Sequence, residues 1–318
     1  MPALERWLGQ GAVQPLAGDW RQALQDEWCS AHLAAAAPAA IAGAAVDELP
    51  AGQPLWLATP VHFVAGLDTL RLHPAGLLTL GLDEQRVLAA DFAQVFAGSG
   101  WTLHATGRRE MLLSGGAAGR VRSLDPARAL GADPSSGLPA GAGAAPLRRL
   151  GAELEMWLHD HAVNRARRAR GLLPSNALWL WGGGEPPVKP PGGRATGAAG
   201  DGAAREPMAW AEDLFVDGLA RLAGVRVRAR PESWPADAAR AAGELLCVCE
   251  LGPTPDTASL RALDADWIAP ALEAWRQGAY GSATLLAGQR SVRLRRGSLR
   301  QWARALRPGR PWWESLLR

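Results

Sequence analysis

The sequence predicts an α/β protein, with a mostly parallel sheet flanked by helices, joined to an α+β subdomain. Two patterns carry this expectation. The last third alternates short apolar runs with helical periodicities, the pattern of βαβ units. Residues 54–114 read instead as strands, one helix and strands again, which suits helices packed on one sheet face. At 318 residues the chain can bury a sizeable core. The expected organisation is a helical N-terminal segment over 1–50, the α+β subdomain over 51–146, and the α/β half over 147–318 with a flexible Gly/Pro loop at 185–208.

Trp7, Leu8, Trp20, Leu24 and Trp28 recur at helical spacing, so the first 50 residues read as mainly helical. An Ala-rich stretch at 33–46 is too short to span a bilayer and is interrupted by Pro38 and Gly43. Residues 54–59 form an apolar run that predicts a buried strand, and 69–73 alternate as a half-buried one. Asp83 predicts a helix N-cap, with Val87, Leu88, Phe92 and Phe96 on the helix and Gly98 as its stop. Residues 101–106 and 110–114 read as strands, and 115–146 as a long irregular connection.

Leu147, Leu150, Leu154, Trp157 and Leu158 mark the apolar face of one helix that runs to Gly171. Its basic last turn complements the helix dipole. Residues 176–181 predict the next strand. Helices at 210–222, 235–242 and 267–277 then alternate with strands at 225–228, 245–250, 283–287 and 292–294. Trp302, Trp312 and Trp313 fall on terminal helical turns.

A net charge of +3 over this length argues against a polyanion-binding field, and the arginine run Arg165, Arg167, Arg168 and Arg170 lacks the aromatic interleaving of a nucleic-acid reader. That run reads as a solvated helix end or as an anion site. Fifteen tryptophans against one Tyr and four Phe predict an indole-rich core. Three cysteines give no disulfide framework, which fits a reducing compartment. Cys247 and Cys249 share one face of a strand and read as small buried hydrophobes. With no targeting signal or membrane span, the expected location is the cytoplasm.

The sequence has no GxxxxGK[ST] loop and no GxSxG elbow. Gly141-Ala142-Gly143-Ala144-Ala145-Pro146 starts like a dinucleotide fingerprint but ends in Pro and follows no strand. The histidines, His32, His62, His73, His104, His159 and His161, show no metal-binding spacing. On one helix, His159 and His161 would point ~200° apart.

His161, Asn164, Arg167, Gly171, Pro174 and Asn176, followed by the apolar run Leu178-Trp179-Leu180-Trp181 and Gly182-Gly183-Gly184, resemble a motif of the archaeal-type cofactor-independent phosphoglycerate mutases. That motif is HPxNxxRxxxGxxPAN, then a strand and RGxG. Asp125-Pro126 resembles the DPH element of the same family, and the 54–114 unit is similar in element order to its inserted domain. Trp56 to His62, Glu155 to His159 and Leu178 to Gly182 resemble more closely a bacterial group of "regulator of pathogenicity factors E"-type regulatory proteins.

The departures from the mutase pattern bear on chemistry. Two-metal phosphoryl transfer needs clustered carboxylates and imidazoles. The resemblance implies a DGxxD-like element near the N-terminus and a late Asp-His element, and the sequence has neither. Trp181 stands at the Arg of RGxG, and Ala127 at the His of DPH. The expectation is therefore a non-catalytic binding or regulatory protein without a cofactor or bound metal.

Asn164, Arg167 and Asn176, with Asp125, would line an anion pocket for a small phosphorylated or carboxylated ligand, or would brace the turn between helix and strand. Two alternatives stay open. One is a phosphomutase or phosphatase with altered metal use, drawing on Asp213, Asp217, Asp264 and Asp266, although Asp213 and Asp217 read as a solvated helix face. The other is a protein-interaction module with exposed tryptophans.

Overall fold

The structure is a computed structural model that describes residues 1–16, 20–29, 35, 36, 39, 52–66, 69–116, 121–184, 207–235, 245–249, 255–287 and 290–295. Five expectations lie wholly or mostly outside these residues: His32, the Ala-rich stretch at 33–46, the loop at 185–208, the helix at 235–242, and Trp302, Trp312 and Trp313.

The central sheet is built on one long strand, β2 (Leu55–Ala65). Its partners are β3 (Leu70–Leu77), β5 (Met111–Gly115) and β6 (Ala177–Gly184), and β4 (Trp101–His104) pairs with β5. Every pairing in this sheet is antiparallel. The apolar run at the start of β2 is explained by its two covered faces. Trp56 and Ala58 pack with Leu178 and Leu180 in one core, while Leu55, Leu57, Val61 and Phe63 pack with Ala177, Trp179 and Trp181 in another.

Pro60 is tolerated inside this strand because β5 pairing ends at Ala58 and β3 pairing resumes at Val61. Its carbonyl accepts from Leu78 N–H at 3.0 Å on that same side.

Helix α3 (Leu82–Val95) and helix α4 (Ala144–His159) bury Leu88 and Phe92, and Leu147, Leu150, Leu154 and Leu158, in the first of these cores. The N-cap of α3 is Gly81, not Asp83; Glu84 reaches back to the Gly81 N–H at 2.9 Å. The single helix expected to reach Gly171 is broken. Helix α4 ends at His159, and α5 (Ala162–Ala169) begins anew with His161 as its N-cap, accepting from Val163 N–H at 3.2 Å.

The expectation of a mostly parallel sheet is corrected. Strands β5 and β6 do run in the same direction, joined through α4 and α5, but β2 is inserted between them in the opposite sense. Short β2–β3 and β4–β5 connections also make those pairs antiparallel. Among the described strands, parallel pairing occurs in a small sheet, β8-β7-β9, in which β7 (Met208–Trp210) lies between β8 (Arg226–Arg228) and β9 (Leu245–Cys247). Helix α6 (Leu214–Ala223) connects β7 to β8 and ends at Gly224, whose φ of +69° is the left-handed cap that glycine favours. Trp210, expected on this helix, is in the strand before it.

A third sheet joins opposite ends of the chain. Strand β1 (Ala12–Pro15) pairs with β11 (Arg290–Arg295), which pairs with β10 (Ser282–Ala287), all antiparallel. Helix α1 (Pro2–Gln10) packs Ala3 and Trp7 against Ile268, Leu272, Val292 and Leu294. Helix α7 (Thr257–Leu263) passes through a π turn at Asp264–Ile268 into α8 (Ala269–Gln277). The Asp264 carboxylate accepts from Ala3 and Leu4 N–H at 3.3 and 2.5 Å, capping the start of α1. Helix α2 (Trp20–Trp28) packs Leu24 and Trp28 against α6. Among the described residues no helix is long and apolar enough to cross a membrane.

Candidate functional site

Three of the four residues singled out by sequence meet at the turn between α5 and β6. Asn164 is 1% exposed. Its amide nitrogen donates to Leu158 O at 2.7 Å and Ser175 O at 2.6 Å, and its oxygen accepts from Ser175 N–H at 2.8 Å. Asn176 mimics a peptide group against β2: it accepts from Phe63 N–H at 2.7 Å and donates to Phe63 O at 2.8 Å.

Arg167 is buried, and donates through Nε to Leu173 O at 2.9 Å and through Nη1 to Glu84 Oε2 at 2.9 Å. Arg170 pairs with the other Glu84 oxygen. Burial pushes the Glu84 carboxyl up, but the Gly81 N–H and the two guanidiniums outweigh it and hold the group below the usual range. His161 ties α5 to α3 through Asp91, with Nε2 and Oδ2 3.0 Å apart.

Asp125, the fourth residue, belongs to a different cluster centred on Arg21. Arg21 is only 8% exposed. Its Nη1 pairs with Asp125 Oδ2, and its Nη2 with Asp213 Oδ2 at 2.6 Å. Each aspartate is fixed in turn by a backbone donor. Asp125 Oδ1 accepts from Ala127 N–H at 2.9 Å, at the start of a 3₁₀ turn, and Asp213 Oδ1 accepts from Val216 N–H at 3.1 Å as the N-cap of α6. The Arg21 guanidinium also lies over the rings of Trp20, Trp181 and Phe215, at 4.3, 5.1 and 5.7 Å. Trp181 is oriented by its Nε1–H, which donates to Thr59 Oγ1 at 2.8 Å.

Glu110 adjoins this cluster and is 8% exposed. Burial, reinforced by the Asp213 charge, pushes its carboxyl up to about 7 against the pull of Arg109 and Arg21. When Glu110 carries a proton, the Arg21 and Arg109 charges balance those of Asp125 and Asp213.

The expected solvated face at Asp213 and Asp217 is corrected, since both are buried. They are also held by different arginines, Asp217 facing Arg221 at 3.2 Å and Arg108 at 3.7 Å. Asp264 is committed to the start of α1. Among the described residues no three His, Cys, Asp or Glu side chains are grouped to hold a metal ion. Every tryptophan among them is buried or half-buried.

Arg21 and Glu110 were not singled out by the sequence reading. A signal for Arg21 was present: it recurs with Leu24, Gln25 and Trp28 at i+3, i+4 and i+7, on the face of α2 that is buried. Glu110 gives no such signal, because a polar residue beside a strand is ordinarily solvated.

No family model and no curated protein matches this sequence. Among solved structures, the chain is similar to a cofactor-independent phosphoglycerate mutase from Thermoplasma acidophilum DSM 1728, with a TM-score of 0.37 and 14% identity over 94% of this chain and 83% of that one. It is also similar to the PH0037 protein from Pyrococcus horikoshii, with a TM-score of 0.44 and 13% identity over 92% of this chain and 78% of that one.

Proposed function

We propose that this chain is a non-catalytic binding or regulatory protein on a phosphoglycerate mutase-like scaffold, of the kind its sequence resembles among bacterial regulatory proteins. One observation carries the reading. Two elements that the mutase resemblance picks out, Asp125-Pro126 and Trp181-Gly182, converge on Arg21, which also takes Asp213. A guanidinium held by two carboxylates and covered by indoles is a fixed internal cation. It neutralises acids that would otherwise be free to gather divalent ions, and it cannot polarise a phosphoryl oxygen or activate a hydroxyl as a metal does.

The ligand class proposed, on the sequence resemblance alone, is a small phosphorylated or carboxylated acid; the side chains of Asn164, Arg167 and Asn176 are themselves engaged in bracing the turn between α5 and β6, through Leu158, Ser175, Phe63, Leu173 and Glu84. Two measurements on the purified chain test this reading. Thermal shift with phosphoglycerates and related carboxylic acids is expected to raise Tm. Phosphoglycerate interconversion and phosphatase assays with added magnesium, manganese or zinc are expected to show no turnover. Turnover that scales with bound metal, measured by elemental analysis, overturns the non-catalytic reading. A flat thermal-shift series removes the ligand class.

A further inference from the structure

The two cysteines near the small parallel sheet, expected as buried hydrophobes, are half-buried against the edge of a core cluster. Cys247 ends β9, an edge strand among the described strands, opposite Trp210, and the sulfur of Cys249, two residues later, lies beside its own. Their Sγ atoms are 3.6 Å apart and hydrogen-bonded, and both residues are half-buried, so a small reagent can reach them. Cys29, by contrast, is buried alone in another core.

The pair lies against a triangle of indoles. Trp210, Trp234 and Trp267 have ring centroids 5.7 to 6.3 Å apart, each pair edge to face. Arg230 lies over Trp267 at 5.4 Å and supplies the local positive charge.

We propose that Cys247 and Cys249 form a redox-active dithiol that closes to an intramolecular disulfide by exchange with a small disulfide. Residues two apart on an extended chain have Cα atoms roughly 6.6 Å apart, near the upper limit of about 6.8 Å that a disulfide spans. The bridge can therefore form, and it is of the strained, readily reduced kind that suits a reversible switch.

Cys249 is the attacking sulfur. The hydrogen bond from Cys247 lowers its thiol to about 7, with burial opposing and Arg230 assisting. The same hydrogen bond, together with burial, raises Cys247, which keeps the shared proton. The Cys249 thiolate attacks one sulfur of a disulfide RSSR, forming a mixed disulfide and expelling RS⁻. Cys247 passes its proton to RS⁻, and its sulfur then attacks Cys249 Sγ, forming the protein disulfide and expelling the second RS⁻. The two protein sulfurs lose two electrons, RSSR gains them, and one RSH and one RS⁻ remain.

The test uses the full chain treated with oxidised glutathione near neutral pH. Mass spectrometry is expected to show the loss of two hydrogens, both cysteines blocked to alkylation within one peptide, and full reversal by reduced glutathione. Tryptophan emission should fall on oxidation and recover on reduction. Cys247→Ala should stop at a stable glutathione adduct on Cys249, and the midpoint of its alkylation–pH profile should rise from near 7 by roughly one unit or more, toward the ~8.5 of a free thiol. Cys249→Ala should leave Cys247 unlabelled over the same interval.

Circular dichroism checks that the variants fold, and the wild-type mass and its reversal decide the matter if they do not. Two separate glutathione adducts on the wild type, or cysteines that stay open to alkylation after oxidation, overturn the proposal.

Discussion

Replacing Glu110 with Gln tests the charge state of the Arg21 cluster directly. Glutamine keeps the shape of the protonated acid and removes its titration. The folded protein holds this carboxyl at about 7, against 4.5 for an unperturbed one, so in that interval the folded state binds more protons than the unfolded state. The slope of unfolding free energy with pH is then negative, and stability contributed by this group is lost as pH rises toward 7. Integrating between those two values, the stability lost by ionising Glu110 in place is on the order of 1 kcal/mol at pH 5 and about 3 kcal/mol at pH 8.

Glu110→Gln should therefore gain about 2–3 kcal/mol relative to wild type between pH 5 and pH 8. Urea unfolding of both proteins at the two pH values measures it, and groups common to both cancel in the difference. Parallel loss of stability in the two proteins would show that Glu110 is already ionised in the fold, and the charge balance drawn around Arg21 would fail.

Other changes address the remaining parts of the frame. Arg21→Met leaves two buried aspartates without their cation and should cost about 3–5 kcal/mol in chemical denaturation; adding Asp125→Asn and Asp213→Asn should recover part of that loss. Asn164→Ala removes three buried hydrogen bonds at the α5–β6 turn and should lower stability by about 2–4 kcal/mol, with hydrogen exchange rising first at Ser175. Gly183→Ala would place a methyl 1.8 Å from the buried Trp56 ring, and a loss of about 3 kcal/mol with perturbed near-UV circular dichroism is expected.

Much of the central sheet was legible because two-sided burial leaves a plain trace. Leu55 to Ala58 and Leu178 to Trp181 are apolar at every position since each strand is packed on both faces. Strand direction was not legible. Whether β5 and β6 sit side by side or admit β2 between them depends on pairing across more than 100 residues, which no local pattern encodes. Strand β1 left no trace either, since its four residues are all exposed and, among the described strands, pair with β11. The break between α4 and α5 was missed because the cap is a histidine, whose ring accepts from Val163 in the way an aspartate would.

At the candidate site, Asn164, Arg167 and Asn176 were visible through a sequence motif, and their joint position at one turn follows from it. Asp125 was visible too, but its partner was not. Arg21 lies 104 residues away, and such pairing is a property of the folded chain alone.

The sheet that unites β1 with β10 and β11 bears on how the molecule assembles. Trp7 donates its indole N–H to Val292 O across a separation of 285 residues, so this contact closes a very large loop. Pairings of such range form late, since ring-closure entropy must be met before any contact offsets it. The hairpins around β2 need no such wait. Refolding should thus proceed in two kinetic phases, with the amide protons of Val13 and Val292 acquiring protection after those of Leu57 and Leu112, and a nascent chain would hold α1 exposed until its distant clasp was synthesised.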